Sequence, residues 1–100
     1  SFSEKNLNKI LYFKGREALI DVIYFKIFKS NKVESKLIKL IKIFKEKDIP
    51  VLPLKADILM EKYQIPEGKE LGIKLKAIEE IWTNNNFKIS EKEVQKIVSN

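Results

Sequence analysis

The chain has 100 residues, 44% of them hydrophobic and 34% charged, and a net charge of +6. This length and balance are typical of one folded domain with a modest core, not of a disordered chain. The sequence contains no cysteine and no histidine. Disulfides, zinc sites and catalysis by a thiolate or an imidazole are therefore excluded.

The excess positive charge lies entirely in the first half of the chain. Residues 1–50 contain 12 basic and 6 acidic residues, whereas residues 51–100 contain 8 of each. Lysine is by far the commonest basic residue. Lysine-rich composition alone is weak evidence for a nucleic-acid partner, because surface lysines mostly solubilise.

No apolar run reaches membrane-spanning length, since Asp21 and Lys26 interrupt the longest one at residues 18–28. We therefore expect a cytoplasmic protein with no membrane partner. The chain begins with serine, and we expect it to be a fragment of a longer protein.

Apolar spacing predicts three helices in the first half. The first ends before Gly15, and the second covers about residues 16–29. The second helix is apolar on almost every side, which predicts a central helix surrounded by the others. On this interpretation four aromatic side chains lie in the core and offer no base-stacking surface: Tyr24, Phe25, Phe28 and Phe44.

The third helix is predicted over about residues 32–47 and is amphipathic. Asn31 and Glu34 have the spacing of a capping box at its start. Its polar side carries the largest basic surface that we predict, formed by Lys32, Lys39, Lys42 and Lys45. Any contact of this surface with RNA would be independent of sequence and sensitive to salt.

The second half predicts three more helices. The fourth covers about residues 55–62, the fifth starts with Pro66 near its first position, and Ser90 with Glu93 forms a capping box for the sixth. An apolar stripe along the fifth helix ends at Trp82, which we interpret as a core residue. The sequence thus predicts an all-α fold, a compact helical bundle of about six helices in a single domain over residues 1–100.

No catalytic constellation is visible. Asp21, Asp48 and Asp57 are isolated in the sequence, so no carboxylate pair is present to hold the Mg²⁺ that nucleotidyl transfer requires. No glycine-rich phosphate-binding loop occurs either. We expect the isolated chain to be catalytically inert and to need no cofactor of its own.

Two segments carry a resemblance to a known family. The first is Tyr12-Phe13-Lys14-Gly15-Arg16-Glu17, followed by Asp21. The second follows Pro53 and reads Ala56, Asp57, Ile58, Leu59, then Pro66, Gly68 and Gly72, ahead of Trp82. In this order they resemble the C-terminal tail of bacterial tRNA nucleotidyltransferases, the CCA-adding and poly(A) polymerase family. The resemblance covers roughly residues 11–88, with alanine in place of the usual glycine at 56 and Glu67 between proline and glycine.

The resemblance implies a parent enzyme that adds CCA to the 3′ end of tRNA from CTP and ATP with Mg²⁺. Its catalytic residues would lie in head and neck domains of the same polypeptide, outside this chain. The tail would hold the tRNA through backbone contacts around the elbow, without reading bases. It implies that this chain is a non-catalytic tRNA-binding domain.

A phosphate could dock at the start of the fifth helix, where Gly68 leaves backbone N–H groups unobstructed. Gly72 would permit a close helix crossing. The predicted RNA contacts are five basic residues near these positions or in the first matching segment: Arg16, Lys55, Lys69, Lys74 and Lys76.

Two alternatives remain. The chain could be the tail of a poly(A) polymerase of the same family, which nucleotide incorporation by the full protein would distinguish. It could instead be a helical protein-interaction module that uses a groove between the apolar faces of its helices.

Overall fold

A computed structural model describes residues 2–30 and 34–100 and confirms the all-α prediction. Within these residues it contains six helices and no strand. The helices are α1 (Glu4–Lys14), α2 (Arg16–Ser30), α3 (Ser35–Glu46), α4 (Ala56–Tyr63), α5 (Lys69–Asn84) and α6 (Glu91–Val98). None of the helices in the described ranges is long and apolar enough to cross a membrane.

The chain divides into two compact units. Unit 1 is Ser1–Pro50 and contains α1 to α3, and unit 2 is Val51–Asn100 and contains α4 to α6. The boundary coincides with the charge asymmetry of the sequence, so that unit 1 carries the whole excess of positive charge. Each unit has its own hydrophobic core. The single-domain organisation over residues 1–100 stays a prediction.

Unit 1 is built on α2, which packs against both α1 and α3. Gly15 adopts φ +95°, a backbone conformation that residues with a side chain rarely adopt. It therefore allows α1 to end at Lys14 and α2 to begin at Arg16. Seven residues form the buried core of this unit: Leu7, Leu11, Leu19, Ile23, Leu37, Ile41 and Phe44. The prediction that Phe44 lies in the core is confirmed.

The prediction that α2 is surrounded on all sides is wrong. Only Leu19 and Ile23 of this helix are buried. Tyr24, Phe25 and Phe28 are 51%, 62% and 81% exposed. The physical reason is that α1 and α3 cover one side of the helix only, and the described residues of unit 1 form no further helix to cover the other.

The structure confirms some of the predicted helix starts and revises others. Ser90 caps α6 in a full capping box with Glu93, as predicted. The proposed cap at Asn31 lies outside the described residues. α3 begins at Ser35, after Glu34 in extended conformation, and the predicted start near residue 32 lies outside the described residues. α5 begins at Lys69 with Gly68 as its N-cap, so the prediction of Pro66 at the first helical position is wrong.

Unit 2 forms its core where α5 packs against α4 and α6. The buried members are Leu59, Ile65, Leu71, Ile78 and Val94. Trp82 is 3% exposed, and its ring meets the Phe87 ring edge-on at 4.9 Å. The prediction of Trp82 as a core residue is therefore confirmed.

The capping box of α6 predicts a specific acid sensitivity. The Glu93 carboxylate accepts hydrogen bonds from the Ser90 backbone N–H at 3.0 Å and from the Ser90 hydroxyl at 2.9 Å. The backbone bond first, and then the hydroxyl, lower the pKa of Glu93 below its ordinary value of 4.5. Because the folded pKa lies below the unfolded one, this contribution is complete above pH 4.5 and is lost as the pH falls through the folded value.

We expect the free energy of unfolding of the wild type to fall more steeply between about pH 5 and about pH 3 than that of Glu93→Gln. Glutamine keeps a capping-box acceptor but does not titrate. Urea unfolding followed by the fluorescence of Trp82, the single tryptophan of the chain, measures the difference. Equal pH slopes for the two proteins would show that the box does not titrate.

Candidate functional site

The turn between α4 and α5 has a fixed conformation. Gln64 ends α4 in the left-handed region at φ 58°, and Ile65 is buried in the core of unit 2. Gly68 then adopts φ +147° and ψ −165°, a region that only glycine occupies readily. The anchored isoleucine and the glycine together set the point at which α5 begins.

The starts of α4 and α5, like that of α3, lack the side-chain caps found at α1 and α6. Ser3 and Ser90 cap α1 and α6 through their hydroxyls, whereas Lys55 and Gly68 cap α4 and α5 without any side-chain hydrogen bond. The first N–H groups of a helix need acceptors from outside its own hydrogen-bond ladder. At these two helix starts, solvent or a ligand must supply most of them.

Exposed lysines occupy both of these helix starts. Lys55 is the N-cap of α4 and Lys69 is the first residue of α5. A cation at the positive end of a helix dipole is unfavourable by about 0.3–1 kcal/mol, whereas an anion there is favourable. Glu70, in the first turn of α5, lies 3.4 Å from the Lys74 ammonium. An anion bound beside Lys55 or Lys69 would offset the repulsion between that lysine and the positive end of its helix.

One side of α5 combines these features, and we call it the glycine–lysine face: Gly68, Lys69, Gly72 and Lys76, all exposed. Lys69 and Lys76 are seven residues apart, which places them on the same side of the helix at an axial separation of about 10 Å. Gly72 lies between them along the helix. In the part of the chain that the structure describes, neither lysine forms an ion pair.

Gly72 makes no close packing contact with the described part of the chain. A Cβ built on it meets no atom within 4 Å, so the predicted close helix crossing is not formed by the described residues. Glycine in a helix interior is unfavourable by roughly 0.5–1 kcal/mol relative to alanine. The residue leaves an exposed stretch of bare backbone between two lysines, which an external partner could approach closely.

Lys74, predicted as an RNA contact, has a structural position instead. It is 8% exposed, and its ammonium donates hydrogen bonds to the main-chain oxygens of Val98 at 2.6 Å and Asn100 at 3.0 Å. It thus supplies donors to the C-terminal end of α6, where helix carbonyls lack partners. Because it faces the interior of unit 2, we exclude it from the candidate contacts.

Arg16, the predicted RNA contact in the first matching segment, also has an internal partner. Its guanidinium donates a hydrogen bond of 2.7 Å to the carbonyl oxygen of Phe44 near the end of α3. This bond ties the start of α2 to the end of α3 within unit 1. Arg16 therefore belongs to a different unit from Lys55, Lys69 and Lys76, and we interpret it as structural.

Three lysines of the predicted basic surface on α3 are exposed, as expected: Lys39, Lys42 and Lys45. Lys32 lies outside the described residues. The sequence interpretation missed the exposed aromatic side of α2, because an apolar pattern with no preferred side does not indicate which side is buried.

The isolated aspartates of the sequence do not come together in the described residues to form a metal site. The described residues contain no group of three or more acidic residues that could hold a metal ion. Asp57, in the first turn of α4, accepts a hydrogen bond from the backbone N–H of Ile58 at 2.9 Å. That contact is a local backbone interaction at a helix start.

A scan of the sequence against protein-family models finds no match, and searches of the curated proteins and of the solved structures find no significant similarity. The resemblance to tRNA nucleotidyltransferase tails therefore rests on the residues of the two matching segments.

Proposed function

We propose that this chain is the non-catalytic C-terminal tail of a CCA-adding tRNA nucleotidyltransferase, and that the glycine–lysine face holds the tRNA backbone. The observation that supports the proposal most is Gly72, an exposed helical glycine that no internal packing requires. A bare helix surface between two unpaired lysines suits a phosphate chain that must approach closely and needs no base-specific groups.

The proposed contacts are Lys55, Lys69 and Lys76, with the N–H groups at the start of α5. They would bind phosphates through charge and through the positive end of that helix. Backbone contacts position an RNA without reading its sequence, as a tail that accepts every tRNA requires.

The chemistry belongs to the parent enzyme in this proposal. Head and neck domains of the same cytoplasmic polypeptide would bind CTP, ATP and Mg²⁺ and transfer the nucleotides. The sequence motifs fit a poly(A) polymerase tail as well. Incorporation of both CTP and ATP by the full-length parent supports CCA addition, and incorporation of ATP alone supports the poly(A) alternative.

The experiment that tests RNA holding is a titration of the chain with folded tRNA and with double-stranded RNA of equal length, at about 50 and about 200 mM salt. We expect tighter binding to tRNA, and weaker binding at the higher salt. Lys55→Glu/Lys69→Glu/Lys76→Glu should weaken tRNA binding at least about tenfold and lower the slope of log affinity against log salt by roughly 2, since about 0.7 is lost per phosphate contact.

The matched control is Lys88→Glu/Lys92→Glu/Lys96→Glu, which changes the charge by the same amount at exposed positions of unit 2. It should alter the affinity by less than about threefold, the residual effect of long-range charge. Equal losses in the two variants would show that only net charge matters. Absence of tRNA binding at the lower salt would remove the proposed role from this chain.

A further inference from the structure

The exposed side of α2 is a second feature that needs explanation. Tyr24, Phe25 and Phe28 are more than half exposed, and Ile38 of α3 is 48% exposed. Single exposed apolar side chains are ordinary, but clustered ones mark surfaces that bind a partner. This cluster belongs to unit 1, whereas the glycine–lysine face belongs to unit 2.

The cluster borders a groove of about 470 Å³ between α2 and α3, which we call the α2–α3 groove. Its lining is formed by Tyr24, Ile27, Ile38, Ile41, Lys42 and Lys45. The apolar residues come from both helices, whereas both lysines come from α3. The groove is therefore an apolar channel with a basic edge.

The charges around the groove restrict what can occupy it. Lys42 and Lys45 are exposed, and neither forms an ion pair in residues 2–30 and 34–100. Unit 1 as a whole carries 12 basic and 6 acidic residues. A second copy of the same groove would bring two basic edges together, which charge repulsion opposes. The occupant must combine apolar anchors with negative charge.

Single-stranded RNA meets the charge requirement, but the lining does not suit it. RNA bases bind by stacking on aromatic planes, and three of the four apolar lining residues are isoleucines: Ile27, Ile38 and Ile41. An amphipathic helix meets both requirements, because apolar side chains at positions i, i+3, i+4 and i+7 fill a groove between two helices. Carboxylates beside that apolar stripe would reach the lysine edge.

We propose that the α2–α3 groove binds an amphipathic helix of a protein partner, with carboxylates facing Lys42 and Lys45. The apolar side chains of the partner helix would insert between Tyr24 and Ile38, and the basic edge would set the orientation of the partner helix. This inference is independent of RNA holding by unit 2.

The test uses two labelled peptides of about 18 residues, long enough to form a helix on binding. Both carry leucine at i, i+3, i+4 and i+7, and their flanking positions are glutamate in one and lysine in the other. Fluorescence anisotropy with the intact chain should show saturable binding of the glutamate peptide, weaker at about 200 mM than at about 50 mM salt. The lysine peptide should bind at least about tenfold more weakly.

Two variants locate the site. Lys42→Glu/Lys45→Glu should reverse the preference, so that the lysine peptide becomes the tighter ligand. Tyr24→Ala/Ile38→Ala should lower the affinity for the glutamate peptide by about tenfold, because a few anchor residues contribute most of the binding energy. All four side chains are exposed, so the fold should be retained. Lys5→Glu/Lys14→Glu and Ile49→Ala/Val51→Ala, at other exposed positions, are the matched controls and should leave both affinities within about threefold.

The proposal is overturned if the glutamate peptide does not bind, or if groove and control variants weaken it equally. If the glutamate peptide does not bind, a single-stranded RNA of about 12 nucleotides is titrated next. RNA binding that Tyr24→Ala/Ile38→Ala abolishes would show that the groove is an RNA site and not a site for a helix. Variants of Lys55, Lys69 and Lys76 should leave peptide binding unchanged, because these residues belong to the proposed RNA contacts of unit 2. Peptide binding by the groove and RNA binding by unit 2 can therefore fail independently.

Discussion

Replacing Lys74 by glutamate is expected to remove most of the stability of unit 2. The change places a carboxylate in a site that is 8% exposed, opposite the main-chain oxygens of Val98 and Asn100 and beside Glu70. A buried charge without a partner destabilises by about 3–5 kcal/mol. A folded unit of this size is stable by roughly 3–8 kcal/mol, so the expected loss removes most of its stability.

Lys74→Met separates the two contributions of the side chain. Methionine keeps an apolar stem of similar length in the core, but it leaves the oxygens of Val98 and Asn100 without their donor. We expect a loss of about 1–3 kcal/mol. Lys76→Glu is the control, since it makes the same charge change at an exposed position of α5, and it should alter stability by less than about 0.5 kcal/mol.

Urea unfolding of the three variants, monitored by Trp82 fluorescence, reports on unit 2 because this is the single tryptophan. If Lys74→Glu unfolds at the same urea concentration as Lys76→Glu, then Lys74 is solvated and belongs with the candidate RNA contacts. The measurement thus decides between the two interpretations of this lysine.

Some elements of the fold could be predicted from the sequence because their signals are local. The serine and glutamate of the α6 capping box are three residues apart, and the apolar stripe of α5 runs directly to Trp82. The existence of six helices follows from such patterns. Gly68 ends the turn before α5 through its own backbone conformation, which overrides the preference of Pro66 for a first helical position.

Other features depend on which elements lie next to one another, and the sequence does not contain that information locally. The pattern of α2 is apolar on nearly every side, so it does not indicate that Phe25 and Phe28 are exposed. Lysine is ordinarily a surface residue. Lys74 is buried because α6 ends beside it, a contact 24 to 26 residues distant in the chain.

Gly72 shows the same limit for the candidate site. Its spacing from Gly68 is visible in the sequence, but a helical glycine can serve either internal packing or an external partner. Only the open space around its Cβ position distinguishes these roles. The separation of Lys55, Lys69 and Lys76 from Lys74 likewise depends on burial, which no spacing in the sequence reveals.

Filling the bare surface at Gly72 is expected to raise stability while it lowers affinity for tRNA. Gly72→Ala should stabilise unit 2 by roughly 0.5–1 kcal/mol, because alanine is the better helix former and its Cβ meets no atom. Gly72→Leu should be nearly as stabilising. If a phosphate chain contacts this backbone, the alanine should weaken tRNA binding by a few-fold and the leucine by at least about tenfold, in the order of side-chain size.

Partial misfolding cannot account for a gain in stability that accompanies a loss of tRNA affinity. A variant that binds less because it is partly unfolded must also lose stability, whereas Gly72→Leu should melt at a higher urea concentration than the wild type. Gln95→Leu places the same apolar side chain at an exposed position of α6 and, as a control for the added exposed leucine, should leave tRNA binding unchanged. Retention of full affinity by the more stable Gly72→Leu would show that the RNA does not contact the backbone at Gly72, and α5 would then contribute only its lysines.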